Sequence, residues 1–143
     1  MTIASRSLSV DDLGAALHKL HNYATEAVFI GDRVGAGPFD PDIFAAVGRK
    51  FDPGPDYIYT VNLLYQLGIH AHVDFITLEA AKRYPSPQKA YDSCAWMLDD
   101  MTPEEERKLS AWLSEKLVQV DDSTWQLHRR HPAKWALIWW RKS

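Results

Sequence analysis

The spacing of apolar positions near the start of the chain predicts an amphipathic helix over about residues 10–23. Leu13, Leu17 and Leu20 recur at intervals of three or four residues, so they form one stripe on a helix surface. Ser9 and Asp12 are spaced like a capping box, which places the helix start close to Ser9. One face of this helix is therefore expected to pack against a core.

Four other segments have the short, alternating or β-rich pattern that is typical of strands: Thr2–Arg6, Thr25–Val34, His72–Leu78 and Trp135–Arg141. The last of these is apolar on both faces, because alternation puts Trp135 and Trp139 on one side and Trp140 on the other. A strand that is apolar on both faces fits the interior of a sheet and not its edge. We therefore expect Trp135–Arg141 to lie between two other strands.

Proline and glycine punctuate the rest of the chain. A capping residue followed by proline predicts a helix start at Asp40-Pro41, Ser86-Pro87 and Thr102-Pro103, and a further helix over about Asp56–Leu67 ends at Gly68. Two short apolar runs around residues 117–128 predict a hairpin. The alternation of strands and helices indicates an α/β fold, and the length indicates a single domain over residues 1–143.

Composition narrows the function classes. The 143 residues are 46% hydrophobic, and 16 Lys and Arg against 19 Asp and Glu give a net charge of -3. This charge supplies no overall attraction to nucleic acid or to an anionic membrane. Cys94 is alone, so an internal disulfide is excluded, and no apolar run is long enough to cross a membrane. We expect a cytoplasmic protein.

The candidate cofactor motifs are weak. Gly35-Ala36-Gly37 follows a strand and precedes a helix, as a shortened dinucleotide loop would, with Glu79 as the acidic partner. Pro38 removes one N–H donor and the charge of Asp40 opposes phosphate, so a plain turn is favoured. The histidine pairs have no cysteine or carboxylate at ligand spacing, and we predict no metal site. Cys94 has the apolar neighbours of a core residue.

A polar and aromatic helix face is the best candidate for a binding surface. Tyr59, Asn62 and Gln66 share one side of the helix predicted over Asp56–Leu67. Such a face could line a cleft for a small molecule, with hydrogen-bonding groups set on aromatic walls. Ordinary amphipathic packing with tyrosine hydroxyls at the rim remains the alternative.

The order of elements, together with the phrases Asp11–Leu17, Asn62–Ile69 and Trp135–Trp140, resembles the second half of class I S-adenosylmethionine-dependent methyltransferases. That family has a doubly wound, Rossmann-like sheet of seven strands, whose last strand is antiparallel and lies between the fifth and sixth. The resemblance implies that the four predicted strands correspond to the family's fourth, fifth, sixth and seventh, with helices flanking this half-sheet. The family's Gly-rich cofactor loop would belong to a half that this chain lacks.

The resemblance also implies which residues to test. Ser5, Arg6 and Ser7 follow the fourth strand and would lie near S-adenosylmethionine, and Arg33 follows the fifth strand and would lie near the substrate. The Asn/Asp-Pro-Pro-Tyr/Phe pattern typical of amino-group methylation is absent, and no general base is assigned. We expect a C-terminal fragment or subunit of a methyltransferase that is inactive by itself.

Two other functions remain open. The chain could be a non-catalytic interaction module on the same scaffold, or a winged-helix-like nucleic-acid binder in which Arg129, Arg130 and Lys134 contact phosphates. The resemblance further implies that Thr2–Arg6 has lost a neighbouring strand. An unpaired strand edge is a template for association, so we expect a homodimer or a partner subunit at Thr2–Arg6.

Overall fold

A computed structural model describes residues 1–5 and 11–143 of the chain. The described elements follow the order β1 (Thr2–Ser5), α1 (Leu13–Tyr23), β2 (Ala27–Arg33), α2 (Pro41–Ala46), α3 (Tyr57–Gln66), β3 (His72–Thr77), β4 (Ala81–Tyr84), α4 (Pro87–Ala95), α5 (Pro103–Lys116), β5 (Val118–Asp121), β6 (Thr124–His128) and β7 (Lys134–Arg141). The predicted α/β class is confirmed in this mixed form.

The chain divides into two compact units. The first is built from Met1–Pro38, Pro53–Thr77 and Lys134–Ser143, and the second from Phe39–Asp52 and Leu78–Ala133. The single domain over residues 1–143 stays a prediction, and the chain enters and leaves the second unit twice. Each unit has its own sheet and its own buried cluster.

The sheet of the first unit has four strands in the order β1-β2-β7-β3. β1 and β2 are parallel, whereas β7 is antiparallel to both of its neighbours. The predicted interior position of the Trp135–Arg141 segment is therefore confirmed. The prediction rested on the apolar residues on both faces of this segment. A strand with one solvated face has alternating apolar and polar residues instead.

One face of this sheet, called here the packed face, carries the buried core of the first unit. From β7 it includes Ala136, Ile138 and Trp140, and these pack with Leu17 of α1 and Leu64 of α3. Ile138, Leu17 and Leu64 have no exposed surface. The apolar residues on one side of β7 therefore pack in one layer with the apolar stripes of α1 and α3.

The opposite face, called here the open face, is largely apolar, with Asp74 in register with Leu137 and Arg33 in register with Trp135. Its central apolar side chains are half-buried. The strand registers align Ile3, Phe29, Trp139 and His72 in one row, and Trp135 and Ile76 in another, with Leu137 between the rows. None of these side chains belongs to either buried cluster of the described residues. Ile3 is 65% exposed and Ile76 is 54% exposed.

The second unit has a three-stranded antiparallel sheet in the order β4-β6-β5. Its core combines residues of α2, α4, α5 and β6, including Ile43, Cys94, Leu109 and Leu127. The predicted hairpin is confirmed as β5 and β6, while β4 was not predicted. The capping box of Thr102 and Glu105 is present at the start of α5.

The first helix starts later than predicted. α1 begins at Leu13, and the side chain of Asp12 caps it by accepting a hydrogen bond from the backbone N–H of Ala15 at 2.9 Å. The predicted start at Ser9 lies outside the described residues. No helix in the described part of the chain combines the length and the apolar character needed to cross a membrane.

Candidate functional site

The carboxyl end of β2 holds a compact polar cluster. Oδ2 of Asp32 accepts a hydrogen bond of 2.6 Å from the hydroxyl of Thr60, and Oδ1 accepts one of 2.8 Å from the backbone N–H of Arg33. Thr60 is only 1% exposed. A buried hydroxyl needs a partner, so this contact fixes the first turns of α3 against the end of β2.

Arg33 and Asp56 form hydrogen bonds that connect the end of β2 and the turn after it to the segment before α3. The guanidinium of Arg33 donates from Nε and Nη2 to the carbonyl of Pro55, at 3.2 and 2.9 Å. Asp56 caps α3 through the N–H of Ile58 and also accepts from the N–H of Gly35 at 2.8 Å. Arg33, predicted to bind substrate, therefore fixes the connector that leads into α3.

The Gly35-Ala36-Gly37 segment forms a turn whose glycines are required by the backbone. Both glycines have positive φ, and a Cβ on Gly37 would lie 2.8 Å from Cβ of Arg33. The N–H of Gly35 is bonded to Asp56 and that of Gly37 to the carbonyl of Val34. These donors are already used within the chain, which supports a plain turn over a phosphate-binding loop. Glu79 belongs to the second unit.

The three predicted substrate residues on α3 lie on its accessible side. Asn62 and Gln66 are exposed, and Tyr59 is 49% exposed. Their common helical spacing brings them together on one surface, as predicted. In the described part of the chain no hydrogen bond joins them to Arg33.

The predicted cofactor residues are only partly described. Ser5 ends β1 and pairs in register with Gly31, so its backbone reaches the same sheet edge as Asp32. Arg6 and Ser7 lie outside the described residues. Sequence reasoning missed the Asp32–Thr60 pair; the available signal was an acidic residue that follows an apolar strand.

A cavity of about 280 Å³ lies at the opposite end of the sheet, where α1 and α3 end. Its lining residues are His21, Leu67, Gly68, Ile69, His70, Trp140, Arg141, Lys142 and Ser143. The indole N–H of Trp140 donates to Nδ1 of His21 at 3.0 Å. Burial lowers the pKa of His21, and the charges of Lys142 and His18 lower it further.

Lys142 lines this cavity and also contacts the end of α1. Its Nζ donates to the carbonyl of Ala24, the C-cap residue of α1, at 3.0 Å. A cation at a helix carboxyl end interacts favourably with the unpaired carbonyls there. Lys142 therefore stabilises the end of α1, and His21 joins that end to Trp140 of β7.

In the second unit, Cys94, Arg129 and Arg130 make contacts that stabilise the fold. Cys94 is 2% exposed, and burial raises the pKa of its thiol to about 11, which confirms its core role. Arg129 lies 3.6 Å from the buried carboxylate of Asp40, and Arg130 donates to Asp42 at 2.6 Å. Both arginines predicted to contact phosphates are thus engaged with carboxylates.

Lys134, the third residue predicted to contact phosphates, lies close to an aromatic ring. Nζ of Lys134 lies 5.2 Å above the ring of Phe75, within the first unit. Over residues 1–5 and 11–143, His, Cys, Asp and Glu side chains form no group of three that could hold a metal ion.

Comparison with known proteins identifies a relative that matches nearly the whole chain. No family model matches this chain. The chain is 33% identical over 141 residues to an uncharacterized protein of Haemophilus influenzae. The match covers 98% of this chain and 51% of that protein, so the chain spans about half the length of this relative.

Proposed function

We propose that this chain is the C-terminal half of a class I S-adenosylmethionine-dependent methyltransferase fold, completed by a polypeptide that carries the cofactor loop. The observation that carries the proposal is the strand order β1-β2-β7-β3, with β7 antiparallel and interior. This is the order and direction that the resemblance implies for the fourth, fifth, seventh and sixth strands of that family.

Two further observations support an incomplete fold. β1 is parallel to β2, yet it is the first strand of its sheet, with no further strand beside it among the described residues. Parallel sheets are normally covered on both faces and continue through crossover connections. The relative from Haemophilus influenzae contains about as much additional sequence as the match itself.

The residues described here do not fit the adenosyl cofactor by themselves. The glycine N–H groups of the turn after β2 are bonded within the chain, so they offer no donor to a bound ligand. In the proposal the cofactor binds mainly to the completing half. The end of β2, fixed by Asp32 and Thr60, forms part of the floor beneath the reacting groups.

Calorimetric titration of S-adenosylmethionine into two proteins tests this proposal. The isolated chain is expected to give no saturable heat, whereas the full-length relative from Haemophilus influenzae is expected to bind at about 10 μM or tighter, roughly -7 kcal/mol. Absence of binding by the folded full-length relative would contradict the proposal. Binding tighter than about 10 μM by the isolated chain would show that the cofactor site lies in this half.

A second candidate function is a non-catalytic interaction module centred on the second unit. The sheet order β4-β6-β5 together with α4 and α5 is similar to a winged-helix arrangement. The first turn of α5 is acidic, with Glu104, Glu105 and Glu106, and Asp121 and Asp122 lie at the hairpin turn. These charges oppose phosphate, so a protein partner is favoured over nucleic acid.

The nucleic-acid version of this candidate has a direct test. Fluorescence anisotropy with a labelled duplex of about 20 base pairs should show no binding at about 50 mM salt, a condition that favours phosphate contacts. Saturable binding that weakens steeply with salt, and that Arg130→Ala reduces, would restore the nucleic-acid interpretation.

A further inference from the structure

The open face has the composition of a surface that is buried in the functional protein. β7 presents Trp135, Leu137 and Trp139 on this face, although its neighbours on the packed face already supply a core. A solvated sheet face normally alternates with polar residues. Large contiguous apolar patches on a protein surface mark interaction sites.

The aromatic row on this face is arranged for packing against a polypeptide. The rings of His72 and Trp139 are stacked with centroids 4.2 Å apart and an angle of 16°, and Phe29 stacks on the other side of Trp139 at 6.1 Å. His72 and Trp139 therefore cover one ring face of each other. Nucleic-acid bases stack on exposed ring faces, so this mutual stacking leaves fewer ring faces for a single strand.

Trp139, at the centre of the aromatic row, already has a hydrogen-bond partner. The indole N–H of Trp139 donates to Oδ2 of Asp74 at 2.9 Å. A covering element can therefore bury Trp139 without leaving a donor unsatisfied, which would otherwise carry a desolvation penalty. A row of aromatic and aliphatic side chains is a suitable surface for the apolar stripe of a helix.

The open face is continuous with the outer edge of β1. Ile3 lies on β1 and is also the first residue of the aromatic row, through its register with Phe29. If a polypeptide added a strand beside β1 and its connecting helix packed on the open face, that helix would lie over Ile3. One partner would thus cover both the strand edge and the face.

We propose that the open face is the docking surface for an amphipathic helix of the completing half, whose neighbouring strand pairs with β1. This inference rests on the proposed function, and it specifies the partner as an α/β polypeptide, for which the unmatched part of the Haemophilus influenzae relative is the candidate. The amount of that unmatched sequence, about half of the relative, is sufficient for several strands and helices.

Cysteine labelling can measure whether this face becomes covered. We would introduce Ile3→Cys into the isolated chain and into a chimera in which this chain replaces the matched half of the relative. Tyr65→Cys on α3, a residue 67% exposed, is the matched control, and Cys94 is buried and reacts slowly. The labelling rate of Cys at position 3 should fall by roughly tenfold or more in the chimera, while that at position 65 stays unchanged.

Each other outcome overturns the proposal. Equal labelling at position 3 in a folded isolated chain and a folded chimera, both checked by circular dichroism, would show that the face stays uncovered. Protection that appears in the isolated chain as its concentration rises, with a dimer seen by sedimentation, would identify a second copy as the occupant. Protection by a single-stranded oligonucleotide would identify a nucleic-acid surface.

The same preparations separate this inference from the proposed function. If the chimera protects position 3 and the full-length relative does not bind S-adenosylmethionine, the docking surface stands and the methyltransferase assignment fails. If the relative binds the cofactor and position 3 labels equally in both proteins, the assignment stands and the docking surface fails.

Discussion

The two faces of the four-stranded sheet are made from the same strands and have different surroundings. On β7, Ile138 on the packed face has no exposed surface, whereas Leu137 on the open face lies outside both buried clusters. The two residues are neighbours in sequence and similar in size. Their difference is therefore due to what covers each face and not to the hydrophobicity of the strand.

This comparison shows what strand composition can and cannot reveal. An apolar residue on each side of a strand indicates that both sides are to be buried. It does not indicate whether the covering element belongs to the same chain. The packed face is covered by α1 and α3, and we propose that the open face is covered by a partner.

The largest effect is expected from Ile138→Ala on the packed face. Removing this fully buried side chain leaves a cavity among Leu17, Leu64 and their neighbours and should cost about 3 kcal/mol of unfolding free energy. Urea unfolding followed by circular dichroism provides the measurement. Leu137→Ala is the matched control and should cost about half as much, because Leu137 is only half-buried. Similar costs for the two variants would mean that both faces are packed in the isolated chain.

The next largest loss of unfolding free energy is expected from replacing Trp140, and a smaller loss from replacing the adjacent Trp139. Trp140→Phe removes a largely buried ring volume and the hydrogen bond to His21, and should cost about 2 kcal/mol. Trp139→Phe removes a hydrogen bond to the exposed Asp74 and should cost about 0.5 kcal/mol. Thermal or urea unfolding can rank the variants, and a larger loss in Trp139→Phe would reverse the assignment of the faces.

The packed face should also carry a pH-dependent contribution through His21. Its pKa is lowered in the folded protein, so protonation is easier after unfolding. Stability from this group is present above pH 6.5 and is lost as the pH falls below that value. The difference in unfolding free energy between pH 7.5 and pH 5.5 should shrink in His21→Gln. Trp139→Phe should keep that difference, and an unchanged pH dependence in His21→Gln would remove His21 as its source.

The smallest effect is expected on the open face itself. Ile3→Thr and Ile76→Thr change side chains that are 65% and 54% exposed, so each should alter the unfolding free energy of the isolated chain by less than about 0.5 kcal/mol. Equilibrium urea curves are sufficient to check this. A loss of more than about 1 kcal/mol in either variant would mean that the isolated chain already buries this face.

The interior position of β7 could be predicted because its signal is local. The apolar residues on both sides of Trp135–Arg141 indicated an interior strand, and β7 lies between β2 and β3. Helix starts were also predictable where a capping residue precedes proline, as at Thr102-Pro103. Both kinds of signal occur within ten consecutive residues or fewer.

The missed features depend on contacts between distant residues. β4, with the sequence Ala81-Lys82-Arg83-Tyr84, is too short and too polar to be identified alone, and it is defined by its pairing with β6. Thr60 was passed over because its burial depends on Asp32, in another element. The face shared by Tyr59, Asn62 and Gln66 was predictable from helical spacing, but their exposure was not.

The interior position of β7 has a consequence for biosynthesis. β2 and β3 are not paired with each other, and β7 lies between them although it is translated after both. Until β7 emerges from the ribosome, β3 has no partner in this sheet, and its apolar residues Phe75 and Ile76 remain available to other chains. Nascent chains are therefore expected to need protection from aggregation until β7 has been synthesised and closes the sheet.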